Sequence, residues 1–256
     1  MESGSRDVIP AQAFRATVQY DGTAYYGFQR QRSGFPSVQD ELEQALASLT
    51  GHWVRVIGAG RTDSGVHALG QVIGFKIRWP AARGFMALMR AMNSRLPKDI
   101  AVVELAEATE DFHPRFDAKR RTYEYRILCS QTRQPLLRHR AWQIATKLDI
   151  EPMNAAAAHL VGSQDFATFG RAPVGDNTVR EVYRAEWRDE GEMLVFQICA
   201  NAFLNRMVRS VVGSLKKVGE GKWTAGELAT ALAARDRKQS ATAAPAHGLY
   251  LLSVEY

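Results

Sequence analysis

Between residues 14 and 20 the apolar positions Phe14, Ala16, Val18 and Tyr20 alternate with polar ones, which predicts a half-buried strand that stops at the Asp21-Gly22 turn. The period then changes. Ser37 followed by Asp40 is a helix-start signal, and Val38, Leu42, Leu46 and Leu49 recur at helical spacing until Gly51. Residues 54–57 and 72–77 read as strands on either side of the loop 58–68. Phe85, Leu88, Met89, Met92 and Leu96 form a second helical stripe that ends at Pro97, and 100–106 reads as a strand. In the second half, 119–129 and 181–200 are expected as strands, the latter a hairpin turning at Glu190-Gly191, with an Ala-rich helix at 153–161 between them. Leu204, Met207, Val208, Val211, Val212, Leu215 and Val218 trace a strongly amphipathic helix, Thr224 and Glu227 start another, and 249–256 closes the chain as a strand. Strands and helices are mixed without strict βαβ alternation, which favours an α+β fold with a largely antiparallel sheet.

A chain of 256 residues accommodates two domains. Its hydrophobic fraction of 46% and charged fraction of 23% exclude disordered, collagen-like and coiled-coil classes. Lys and Arg number 33 against 27 Asp and Glu, and this net charge of +6 leans towards polyanionic partners. Cys129 and Cys199 are the two cysteines, which excludes a disulfide framework or a Cys-based zinc site and fits a reducing compartment. The first 12 residues lack an apolar signal core, and no apolar run approaches the length of a membrane span. The expectation is a cytoplasmic chain with a disordered start at 1–12.

Several signatures can be rejected. Gly58-Ala59-Gly60-Arg61-Thr62-Asp63 carries Asp where a dinucleotide fingerprint needs a small residue, and Gly221-Lys222 is followed by Trp223, not by the hydroxyl residue of a P-loop. Ser64 lacks the flanking glycines of a nucleophile elbow. His52, His67, His113, His139, His159 and His247 are scattered, with no pair at metal-ligand spacing, so no metal site is expected.

The loop from Gly60 to Ala68 remains, in which Asp63 stands between glycines two residues after Arg61. A guanidinium close to a carboxylate favours its ionised form, and glycines let a large substrate approach the backbone. Equally, Asp63 could cap a turn while Arg61 points to solvent. A second feature is the eight Lys or Arg residues between Arg115 and Arg140, against only Asp117 and Glu124, interleaved with Phe116, Tyr123 and Tyr125. Cations hold phosphates and aromatic rings stack on unpaired bases, so this reads as an RNA-facing strand. The alternative is a solvated basic edge that discourages sheet aggregation. Arg206, Arg209, Lys216 and Lys217 add a basic flank to the amphipathic helix.

Together these segments resemble the tRNA pseudouridine synthase A family. The resemblance is carried by Tyr20-Asp21-Gly22, Tyr26-Gly27-Phe28-Gln29-Arg30-Gln31, the loop from Gly60 to Ala68 with Gly70-Gln71-Val72, and Asp111-Phe112-His113-Pro114-Arg115-Phe116. Arg121-Thr122-Tyr123-Glu124-Tyr125, Asn201-Ala202-Phe203-Leu204 with Met207-Val208-Arg209, and Gly248-Leu249-Tyr250-Leu251 complete it, so it covers residues 14–256. It implies two pseudo-twofold related domains, at 13–110 and 111–256, with the active-site cleft between them. It further implies cofactor-free isomerisation of uridine to pseudouridine at nucleotides 38, 39 and 40 of the tRNA anticodon arm, by a homodimer.

On that resemblance Asp63 is the nucleophile, Tyr123 stacks on the flipped base and assists proton transfer, Arg209 pairs with Asp63, Arg61 helps extrude the base, and Leu249 walls the pocket. Arg30, Phe112, His113, Arg115, Phe116, Lys119, Arg120, Arg121, Arg171 and Arg206 are the candidate RNA contacts. Ser64, Phe28 and Ala243 depart from the family pattern, where Ala, Trp and Thr are common, and none removes a reacting group. Three other readings stay open at this point: a related synthase acting on other RNAs, an RNA-binding protein with a vestigial pocket, and a metal-dependent hydrolase.

Overall fold

The computed structural model describes residues 10–31 and 34–256. Of the expected disordered start, residues 1–9 lie outside this range, and the first strand is already formed at Gln12. In the first half, strand β1 (Gln12–Tyr20) is followed by helix α1 (Val38–Thr50), β2 (Ile57–Gly58), β3 (His67–Ile77), α2 (Gly84–Asn93) and β4 (Ile100–Glu107). The second half runs β5 (Arg120–Cys129), β6 (Trp142–Ile144), α3 (Ile150–Ala158), β7 (Gly162–Asp165), β8 (Val179–Glu190), β9 (Met193–Ala200), α4 (Met207–Gly219), α5 (Ala225–Ala234) and β10 (Leu249–Glu255).

All ten strands belong to one sheet, in the order β4-β1-β3-β10-β5-β9-β8-β7, with β2 beside β3 and β6 beside β5. Every pairing is antiparallel except β10 with β3 and β6 with β5. The two halves repeat one plan. The first reads strand, helix, two strands, helix, strand, with its last strand beside its first and its first beside its third. The second repeats this with β5, α3, β8, β9, α4 and β10. The fold is thus the α+β architecture with a largely antiparallel sheet expected from the pattern, its two halves related as the resemblance implied, and β10 lies on the seam, between β3 of one half and β5 of the other.

Local chemistry explains the elements. Ser37 Oγ accepts from Asp40 N at 3.2 Å to start α1, and Gly51, at φ 76°, ends it in the left-handed region that glycine enters without strain. Thr224 and Glu227 form a complete capping box on α5. β3 is buried on both faces for most of its length, as a strand between two others and under helices must be.

The expected strand at 54–57 does not form. Val54 and Val56 are buried, but the Glu43 carboxylate accepts from Val56 N at 3.0 Å and the Gln39 amide donates to Val56 O at 3.0 Å. Side chains of α1 satisfy this backbone, so only Ile57 and Gly58 reach the sheet. The Ala-rich helix begins at Ile150, before the expected start at 153, because Asp149 caps it through Glu151 N at 3.2 Å. Among the described residues no helix is long and apolar enough to cross a membrane.

Candidate active site

The loop 60–65 leaves the end of β2 and turns back into β3 under restraint from both sides. Gln71, fully buried on β3, clasps Gly60: its amide donates to Gly60 O at 2.8 Å and its carbonyl accepts from Gly60 N at 3.2 Å. Phe28 N donates to Thr62 O at 3.1 Å, Ser64 Oγ and Gly65 N both donate to Tyr25 O, and Val66 N closes a turn onto Asp63 O at 3.1 Å. Gly65 is left-handed at φ 77°. The segments around Tyr20 and Phe28 press against this loop so closely that a Cβ on Gly22 would lie 2.0 Å from Val66 O and one on Gly27 2.6 Å from Thr62 O. This is why glycine is required at both places.

Asp63 opens into a cleft of about 450 Å³ walled by both halves of the chain. Arg209, on the first turn of α4, donates from Nη1 to Asp63 Oδ2 at 3.1 Å. Its Nε donates to Ala244 O at 2.7 Å, and Ala244 N donates back to Arg209 O at 2.9 Å. The strap that carries Ala244 lies flat on α4 because Gly213 admits it, a Cβ there falling 2.0 Å from Thr242 O. The cation beside Asp63 is therefore Arg209. Arg61, two residues away in sequence, lines the cleft without touching the carboxylate and faces Arg115.

Tyr123 reaches the same cleft from β5. Its ring meets Phe203 edge-on, with centroids 4.9 Å apart, and it is 8% exposed. Among the described residues its hydroxyl has no hydrogen-bond partner, and it points over Gly60, whose virtual Cβ lies 3.6 Å away. Burial, with a smaller push from the Asp63 charge, moves the phenol up to about 12 against the opposing pull of Arg121. Such a phenol is protonated at neutral pH: it can stack and donate a hydrogen bond, but it is no free base. Leu249, buried at the start of β10, completes the wall, and the pairing of Leu251 with Tyr123 sets both strands in register.

Among the described residues, Asp63 is the single carboxylate of this wall, against Arg61, Arg115, Lys119, Arg121, Arg180, Arg206 and Arg209. The wall sets seven cations against one carboxylate, a charge pattern complementary to a polyanion.

The sequence-derived RNA contacts divide. Arg115, Phe116, Lys119 and Arg206 line the cleft. Phe116, 75% exposed at its mouth, stacks on His113 at 4.3 Å. Arg206 is exposed at the start of α4 with a left-handed φ of 63°, and Arg171, bridged to Asn205, flanks it. Arg120 lies over the Tyr183 ring outside the cleft, and Phe112 packs on Tyr256. Arg30 is engaged elsewhere, paired with Asp40 at 3.3 Å and Glu43 at 3.5 Å and stacked on Trp53.

Arg121 differs most from expectation. It is buried, and its five N–H groups all reach main-chain carbonyls, those of Ala59, Arg115, Ala118 and Asn201. It braces the junction of loop and strand and has no donor left for a phosphate. Three residues escaped the sequence reading as site components: Arg180, and Thr62 and Phe203, which it named only within motifs. Arg180 donates from Nη1 to Asn177 O and Val179 O, and its buried Nε is unpartnered among the described residues.

The cleft between the two halves is thus cationic and holds one ion-paired carboxylate and a buried tyrosine. The family model described as tRNA pseudouridine synthase matches the chain twice, over residues 16–117 and 156–256, one match per structural half, and the chain belongs to that family. It is an isomerase. Relatives named tRNA pseudouridine synthase A include one from Sinorhizobium fredii, 44% identical over 95% of this chain and 99% of its own length. Others are from Agrobacterium fabrum, 45% identical over 95% and 92%, and Neisseria gonorrhoeae, 40% identical over 98% and 94%.

Proposed function

We propose that the chain converts uridine to pseudouridine at nucleotides 38, 39 and 40 of the tRNA anticodon arm, without a cofactor, in the cytoplasm and as a homodimer. The observation that carries the chemistry is the Asp63–Arg209 ion pair at 3.1 Å on the wall of the cationic cleft. A uridine inside a stem must leave the stack before any side chain can reach it, at a cost of a few kcal/mol offset by stacking and cation contacts. Tyr123 takes the flipped base on its ring, Arg61 fills the space the base vacates, and Leu249 closes the pocket behind it.

Asp63 then acts as a covalent catalyst, either on the electron-poor base or on the sugar carbon, as a retaining glycosidase carboxylate does. The N-glycosidic bond breaks, the uracil turns, C5 bonds to C1′ as the bond to Asp63 is released, and the proton lost from C5 is matched by one taken up at N1. Arg209 keeps Asp63 aimed throughout. Arg115, Phe116 with His113, Lys119, Arg171 and Arg206 contact the RNA around the mouth.

The test is tritium release from unmodified tRNA labelled at C5 of uridine, incubated with the purified protein in EDTA, followed by mapping of the modified nucleotides. Release confined to the anticodon arm is expected. Release from other positions would move the substrate, and no release with tight tRNA binding would overturn the reading.

A further inference from the structure

We propose that Tyr20 is a positioning residue for Asp63, acting through its hydrogen bond to Thr62. The inference rests on the reading of Asp63 as the reacting group and adds the device that aims it. Tyr20 ends β1, and its hydroxyl meets Thr62 Oγ1 at 2.8 Å. Tyr20 is 4% exposed and Thr62 6%, so water does not compete for either group. Thr62 Oγ1 is the Tyr20 hydroxyl's hydrogen-bond partner, with the Gln71 side chain also close to it, and a buried phenol so engaged holds that partner in place.

The consequence for Asp63 follows from chain geometry. Thr62 Oγ1 meets Tyr20, and the next residue, Asp63, with 36% of its side chain exposed, meets Arg209 across the cleft. Holding Thr62 therefore constrains the backbone that carries Asp63, and the Gln71 clasp on Gly60 restrains the segment before it. Arg209 orients the carboxylate from the cleft side, while Tyr20 orients its backbone from the core side. Burial raises the Tyr20 phenol well above the usual tyrosine range, so the group keeps its proton, and the bond, at every working pH.

Two variants separate aim from folding. Tyr20→Phe keeps the ring packed near Phe28 and removes one oxygen, and Thr62→Val removes the partner at equal size. Each is expected to lower kcat about ten- to a hundredfold, since displacement of a reacting group by a fraction of an ångström is felt on that scale. The KM and tRNA Kd are expected to stay within about twofold, because Tyr20 is off the cleft wall and Thr62 is 6% exposed and carries no charge for a phosphate. Thr62→Ser restores most of the rate lost in Thr62→Val, and the double variant is no slower than the slower single one, because both act through one bond.

Asp63→Asn is assayed alongside. An inactive Asp63→Asn with a fully active, stable Tyr20→Phe overturns the positioning role and leaves the active-site reading intact, as would losses in the two variants that simply multiply. An active Asp63→Asn removes the reading on which the proposal rests, and the proposal with it.

Discussion

Arg209 and Ala244 hold each other by two opposed hydrogen bonds, Nε to the Ala244 carbonyl at 2.7 Å and Ala244 N to the Arg209 carbonyl at 2.9 Å. The guanidinium is thereby locked before it meets Asp63, and a lysine could not reproduce this because it has no second nitrogen in a fixed fork. Arg209→Lys keeps the charge and loses the anchor. Its kcat is expected to fall about a hundredfold, on the scale of losing one preorganised electrostatic contact, with tRNA affinity within about twofold. Single-turnover rates at saturating enzyme would measure this, and a rate near that of the parent would dismiss the anchor.

Asp63→Asn tests the reacting group itself. The side chain keeps its size and one acceptor for Arg209, so the fold and the cationic wall persist. Turnover is expected to vanish while filter binding of tRNA stays nearly unchanged, because affinity comes from phosphate contacts made by other residues.

Arg121 and Arg206 are both cleft arginines and should fail in different ways. Arg121→Met leaves the buried Ala59 carbonyl and the part-buried carbonyls of Arg115, Ala118 and Asn201 without this donor, at about 1–3 kcal/mol for the buried group and less for the others, so the thermal midpoint should drop. Arg206→Ala, at an exposed position, should leave the midpoint alone. It should instead weaken tRNA binding and reduce the slope of log affinity against log salt by about 0.7–1, the share of one phosphate contact. Equal salt slopes for Arg206→Ala and its parent would remove Arg206 from the RNA interface.

Much of this site could be read from residue order, because its groups lie in short segments with strong local character. The glycines around Asp63 mark close backbone approach, and Tyr123 falls on an alternating strand with cations on either side. The local spacing alone did not show which cation meets which anion; the pairing of Arg209 with Asp63 came only from the family resemblance. Arg61 is two residues from Asp63 and Arg209 is 146 away, yet the second makes the contact, because β10 and the strap before it carry α4 to the loop. Arg121 misled for a related reason: a cation in a basic run looks solvated until the tertiary structure surrounds it with carbonyls. Residues 54–57 misled because an alternating pattern reports burial on one side, not the identity of the hydrogen-bond partner, which here is α1 and not another strand.

The buried tyrosines make an alkaline prediction. Burial holds the Tyr123 phenol at about 12, against an ordinary value of 10.0, and raises Tyr20 and Tyr125 further. The folded state thus binds these protons more tightly than the unfolded state does. The stability they contribute is whole below about pH 10 and is lost progressively as the pH rises through 12 and beyond. Urea midpoints should accordingly be flat with respect to these groups up to pH 9 and fall between pH 10 and 12. The rate should show no rise as an ordinary tyrosine would begin to ionise, because a neutral Tyr123 is the form proposed to stack on the base. Tyr123→Phe isolates the contribution of this phenol: it should flatten part of the alkaline loss of stability. A rate that climbs between pH 9 and 11 in the parent, and not in Tyr123→Phe, would instead make the phenolate the working species.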